Sequence, residues 1–148
     1  MPGAYNSSPG TLPTGRVSVF GDSMKLRIKG NSIRFRLLRS EVERLAATGV
    51  VSEEVRFGPE TFQALKYSIA ASDGVEEVTA QFSDDQIIVM LPESVALDFT
   101  TTDHVGIEAF QNISEGCDLS ILIEKDFECT GRPDDPDRGD AYPNPDAC

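Results

Sequence analysis

The sequence predicts one α+β domain: a curled antiparallel sheet of about eight strands with two short helices against it. Three observations carry that expectation. Short segments alternate apolar with polar residues between turn formers, the period of a half-buried strand. Two stretches, one opening at Ser40 and one at Pro92, switch to helical spacing instead. The length, 148 residues, suits a single core, since about 150 residues per domain is the usual measure.

The first element is a hairpin. Leu26 and Ile28 alternate with Lys25, Arg27 and Lys29; Gly30-Asn31 supplies the turn; Ile33, Phe35 and Leu37 then alternate with Arg34 and Arg36. Ser40 and Glu43 have the spacing of a capping box, Val42, Leu45 and Ala46 follow on one helical side, and Gly49 is the expected stop. Strands are expected at Glu54–Phe57 and Phe62–Ala71, separated by Gly58-Pro59 and closed by Ser72-Asp73-Gly74, with Phe62, Ala64, Tyr67 and Ile69 as half-buried positions. A second hairpin, Val78–Phe82 and Gln86–Leu91, flanks Ser83-Asp84-Asp85. Its apolar run from Ile87 to Leu91 predicts a strand covered on both faces. Pro92 suits a helix start, with Val95, Ala96 and Phe99 on the apolar side, and Val105–Gln111 and Leu119–Phe127 complete the strands. The two halves share this order, and Ile33 to Ser40 spans the same seven residues as Ile87 to Ser94. A duplicated ββαββ unit is therefore one reading, a plain antiparallel sheet the other.

The chain divides at 1–23, 24–128 and 129–148. Residues 1–23 are rich in Gly, Pro, Ser and Thr and contain too few apolar side chains to offset the entropy of ordering, so a flexible extension is expected. Periodic structure starts at Met24, itself a candidate translation start. Residues 129–148 form an acidic, Pro-rich tail without a core of its own.

Net charge is −12 and the pI about 4.4, a field that opposes nucleic acid and anionic membranes. No apolar run approaches the ~18 residues of a membrane span, and no basic-then-apolar leader opens the chain, so a cytoplasmic protein is expected. Cys117, Cys129 and Cys148 are an odd number with no CxxC pair, which argues against a disulfide framework or a zinc knuckle.

The stretches KLRIKGNSIRFRL (25–37), SEVE (40–43), ILIEKDFEC (121–129) and AYPNP (141–145) resemble those of a family of short bacterial proteins catalogued as a domain of unknown function. The resemblance spans roughly residues 24–145. It implies a one-domain bacterial protein that begins at Met24, and it transfers no catalytic residue.

The sharpest chemical feature is the first hairpin: six cations, Lys25, Arg27, Lys29, Arg34, Arg36 and Arg39, lie within residues 24–39, which hold no acid. Alternate strand residues share a face, so Lys25, Arg27, Lys29, Arg34 and Arg36 are expected to form a cationic sheet face. Guanidinium forks match phosphate and carboxylate oxygens, which points to an anionic small molecule or an acidic peptide; a solvated or internally neutralised face is the alternative. Nucleic acid fits poorly, because the net field is negative and Phe35, pointing inward, is the hairpin's one aromatic. Glu124, Asp126 and Glu128 are expected on one face of the last strand. Glu124 or Asp126 is the base that an alternative reading, a small enzyme acting on an anionic substrate, requires. The tail acids Asp134, Asp135, Asp137 and Asp140 lack calcium-loop spacing, since a loop opened at Asp135 has Gly139 at its fifth position. His104 is the sole histidine, which excludes triads and two-histidine metal centres. No cofactor or metal is expected. The leading reading is a binding or regulatory module rather than an enzyme.

Overall fold

A computed structural model describes residues 23–127. In chain order the elements are β1 (Lys25–Lys29), β2 (Ser32–Leu37), α1 (Arg39–Thr48), β3 (Val50–Arg56), β4 (Ala64–Ser72), β5 (Thr79–Ser83), β6 (Gln86–Pro92), α2 (Glu93–Thr101), β7 (Gly106–Ser114) and β8 (Cys117–Lys125). The expected α+β class, strand number and helix number all hold among these residues. The arrangement of the strands differs from a single curled antiparallel sheet.

The eight strands divide into two sheets of four, ordered β1-β2-β8-β7 and β3-β4-β6-β5. Each central pair, β2 with β8 and β4 with β6, is parallel. The cause is the route of the chain. Hairpin β1-β2 starts one sheet, α1 carries the chain across, and β3-β4 starts the other; the second half then adds β5-β6 to the second sheet and returns β7-β8 to the first. Each sheet therefore takes one hairpin from each half. Alternation in a sequence reports which side of a strand is buried, and it is silent on which strand lies beside it.

The ββαββ order repeats, and the register shows how closely. Lys25 lies opposite Arg36, and Thr79 opposite Met90, each pair 54 positions further on (25 to 79, 36 to 90). The parallel pairs obey the same offset: Ser32 faces Ser120 and Gln86 faces Lys66 (32 to 86, 66 to 120). Buried side chains recur at that spacing too, Leu37 with Leu91, Leu45 with Phe99 and Ile69 with Ile123. Shape and burial are duplicated although few residues are identical, because a core demands apolar volume rather than identity.

One core joins the sheets and helices, with Phe35, Leu37, Val51, Ile69, Val89, Leu91, Phe99, Ile121 and Ile123 nearly inaccessible. Phe35 of β2 meets Tyr67 of β4 with ring centroids 6.3 Å apart and planes tilted by 46°. The Tyr67 hydroxyl donates to the Met24 carbonyl at 2.9 Å, satisfying a polar group inside that core. At the other edge Gln111 of β7 reaches across to β5: its Nε2 donates to the Ala80 carbonyl at 3.1 Å, and its Oε1 accepts from the Ala80 N–H at 2.7 Å. One amide thus occupies two edge groups that would otherwise be open to another strand.

Local boundaries moved for identifiable reasons. Helix α1 begins at Arg39 with Leu38 as its cap residue, and Glu41 rather than Glu43 reaches back, accepting from the Leu38 N–H at 2.8 Å. Burial of Leu37 and Val42 sets that phase. Gly49 ends α1 with φ +85°, a conformation open to glycine. Strand β3 starts at Val50, because Val51 is buried, and Phe62, expected half-buried, lies exposed in the β3–β4 loop. The hairpin turn at Asp84 and Asp85 is left-handed at both residues, φ +52° and +62°, and corresponds to Gly30-Asn31 (30 to 84, 31 to 85). Residues 1–22 and 128–148, including Glu128, Cys129, Cys148 and the tail acids, lie outside the described residues.

Candidate anion-binding face

On the outer side of the first sheet, side chains stand in rows across four strands. One row runs Lys25, Arg36, Glu124, Gly106, and the next runs Arg27, Arg34, Leu122, Glu108. A third runs Lys29, Ser32, Ser120, Phe110. The antiparallel register thus brings Lys25, Arg27, Lys29, Arg34 and Arg36 onto one face, and their apolar neighbours Leu26, Ile33 and Phe35 turn to the core. The parallel β2-β8 pairing sets Glu124 directly beside Arg36.

Glu124 Oε1 lies 3.2 Å from Arg36 Nε and 3.6 Å from Arg34 Nε, so two guanidinium groups converge on one carboxylate oxygen. The three side chains are between 18% and 28% exposed, enough to meet solvent and enough shielding for charge to matter. Gly106 opposite makes room: a Cβ there would stand 3.2 Å from the Ile123 carbonyl and 3.5 Å from the Glu124 Cγ. Asp126, just beyond β8, is largely buried and holds the Lys25 ammonium at 2.9 Å. Its N–H continues the ladder to the Leu37 carbonyl at 2.8 Å. Arg27, Lys29 and Asp126 make further interactions of their own. The two acids singled out in the sequence, Glu124 and Asp126, therefore sit against the cations rather than in a separate carboxylate cluster.

Lys125 points to the opposite side, where the sequence reading assigned nothing. Its ammonium donates to the Thr102 carbonyl at 2.9 Å and lies 5.0 Å from the centre of the Phe99 ring. With Arg39, Glu43 and Phe127 it lines a cleft of about 480 Å³ between α1 and α2. Arg39 thus leaves the hairpin face and joins the helix end. Only tertiary packing reveals this, since nothing in local spacing relates residue 39 to residue 125. His104 sits in the α2–β7 loop, its Nδ1 against the Asp98 carboxylate, both side chains exposed. Among the described residues no group of three His, Cys, Asp or Glu side chains is placed to hold a metal ion, and no helix is long and apolar enough to cross a membrane.

A family model described as "Family of unknown function (DUF7009)" matches residues 24–146. Neither the curated proteins nor the solved structures returned a match.

Proposed function

The chain belongs to this family of unknown function, and we propose that the outer face of the first sheet binds an anionic small molecule or an acidic peptide segment, making the protein a binding or regulatory module. The observation that carries the reading is the convergence at Glu124, where the guanidinium groups of Arg34 and Arg36 share one carboxylate oxygen. Guanidinium groups offer several donors in a plane, so Glu124 leaves binding capacity unspent and acts as an internal ligand that a stronger anion displaces. Strand-borne arginines anchored at Nε are held in place before binding, which lowers the ordering cost. Pyrophosphate and a hexaglutamate peptide are suitable probes. Titration of either, followed by amide chemical shifts, should move β1, β2 and β8, weaken with added salt, and be lost in the Arg34→Gln, Arg36→Gln double variant. Equal binding by that variant, or shifts confined to other strands, would refute the proposal.

A further inference from the structure

Strand β1 is an outer strand of its sheet, with β2 on one side. The two-residue turn at Gly30 and Asn31 makes Lys29 and Ser32 a hydrogen-bonded pair, and alternation makes Arg27 and Arg34 the next. Leu26 and Ile28 fall between these positions, so their N–H and C=O groups point away from β2. Two contacts fit that parity. Met24, two residues before Leu26, turns its carbonyl outward to the Tyr67 hydroxyl at 2.9 Å. Ala80 of β5 corresponds to Leu26, and its partner Val89 to Phe35 (26 to 80, 35 to 89); Ala80 turns both of its main-chain groups outward to the Gln111 amide. The second half of the fold thus fills this edge position with an amide from its own β7. The first half lacks that filler, since β3, the counterpart of β7, reads VVSEEVR and holds neither Asn nor Gln. Among the described residues no hydrogen bond reaches the outward groups of Leu26 or Ile28.

Open donors and acceptors along a sheet edge are a template for another strand, and the side chains of β1 say which kind. Lys25, Arg27 and Lys29 form a cationic row on the outer face, while on the other face Leu26 is half-buried and Ile28 is 60% exposed. A second copy pairing through β1 would set this row against itself, and like charges directly opposite destabilise a sheet. Lys25 already holds Asp126, and Arg27 and Lys29 have partners of their own; what the row gives an added strand is its sign and its spacing. We propose that β1 takes an extended peptide as a further strand, antiparallel like the pairing of each outer strand in the fold, with acidic side chains at alternate positions along the cationic row and apolar ones between, over Leu26 and Ile28. This rests on the anion-binding reading of the same face and specifies its peptide ligand. The main chain of Leu26 and Ile28 holds the peptide, and the cations select its sequence.

Acetyl-Glu-Val-Glu-Val-Glu-amide matches Lys25–Lys29 residue for residue and is the probe, titrated against the 148-residue chain. In the antiparallel register the valine N–H groups donate to the Leu26 and Ile28 carbonyls, while the central glutamate N–H faces away. N-methylation of both valines should weaken binding by about tenfold or more, and N-methylation of the central glutamate should change it by less than about twofold. Hydrogen exchange at the Leu26 and Ile28 amides should slow with the peptide and stay unchanged with pyrophosphate. Ile28→Pro removes an N–H that β2 does not use, so the hairpin ladder survives. That variant should lose about tenfold or more in peptide affinity and still bind pyrophosphate. If it fails to fold, the methylated peptides decide on the parent chain. With pyrophosphate still bound, any of three results overturns the added strand and leaves the anion-binding face standing: no binding of the peptide, equal effects of methylation at valine and at glutamate, or Leu26 and Ile28 amides already slow to exchange in the protein alone. Failure of both probes to bind overturns both readings.

Discussion

Replacing Glu124 with Gln should weaken the fold and strengthen anion binding together, and the two effects have one cause. Glu124 Oε1 lies 3.2 and 3.6 Å from two guanidinium nitrogens in a site about three-quarters shielded from water. Fully exposed pairs contribute ~0–1 kcal/mol, and breaking a buried one costs ~3–5 kcal/mol. A partly shielded carboxylate serving two arginines falls between, so a loss of about 1–2 kcal/mol is expected. At ~2–4 °C per kcal/mol for a chain of this size, the melting temperature should fall by roughly 2–8 °C. The same substitution frees both guanidinium groups from their internal competitor. A unit charge about 4 Å away is worth ~1 kcal/mol in water and ~4 kcal/mol at an effective dielectric constant near ~20. A gain near ~1.4 kcal/mol, tenfold in affinity for pyrophosphate, is therefore the working figure. Calorimetric titration at low ionic strength measures it, and melts at an anion concentration of ~100 times Kd should more than restore the lost stability, since binding then contributes ~2.7 kcal/mol. Unchanged or weaker pyrophosphate binding by Glu124→Gln would refute the idea that this carboxylate occupies a binding site.

Gln111→Leu should cost about 2–3 kcal/mol, because it removes two hydrogen bonds to Ala80 and leaves edge groups of β5 unpaired; hydrogen exchange at the Ala80 amide should quicken in step. Tyr67→Phe keeps the ring contact with Phe35 and deletes the bond to the Met24 carbonyl, so chemical denaturation should show a loss of about 1–2 kcal/mol. Burial, and next the nearby charge of Glu53, raise the Glu41 pKa, against the lowering influence of Arg44 and the Leu38 and Met24 N–H groups. A raised carboxyl pKa favours folding below the unfolded value of ~4.3 and that benefit is lost as pH rises through the folded value. Glu41→Gln in the 148-residue chain should therefore match the parent below about pH 4 and exceed it at neutral pH, read from melts across that window; a constant difference would contradict the sign. Asp84→Asn combined with Asp85→Gly should add about 0.5 kcal/mol with an unchanged denaturant slope, since both positions are left-handed.

Strands and helices in outline, the sides they bury, and the shared face of the hairpin cations were all legible in the amino-acid sequence. Those properties depend on neighbours a few positions apart, and periods of 2 and 3.6 residues are written locally. The alternation of Leu26, Ile28, Ile33, Phe35 and Leu37 was enough to aim Lys25, Arg27, Lys29, Arg34 and Arg36 outward. The matched spacing after Ile33 and Ile87 was the visible trace of a duplication that the register carries through the strands. Packing across the fold set the partition into two sheets, the parallel pairing of β2 with β8, and hence that Glu124, 88 positions beyond Arg36, becomes its counter-ion. It also set Glu41 reaching back to Leu38 in place of Glu43 to Ser40, because burial of Leu37 and Val42 fixes the helix phase more strongly than cap chemistry does. Strand partners and buried ion pairs join residues far apart in the chain, and their energies depend on distance and shielding in space, which no local pattern encodes.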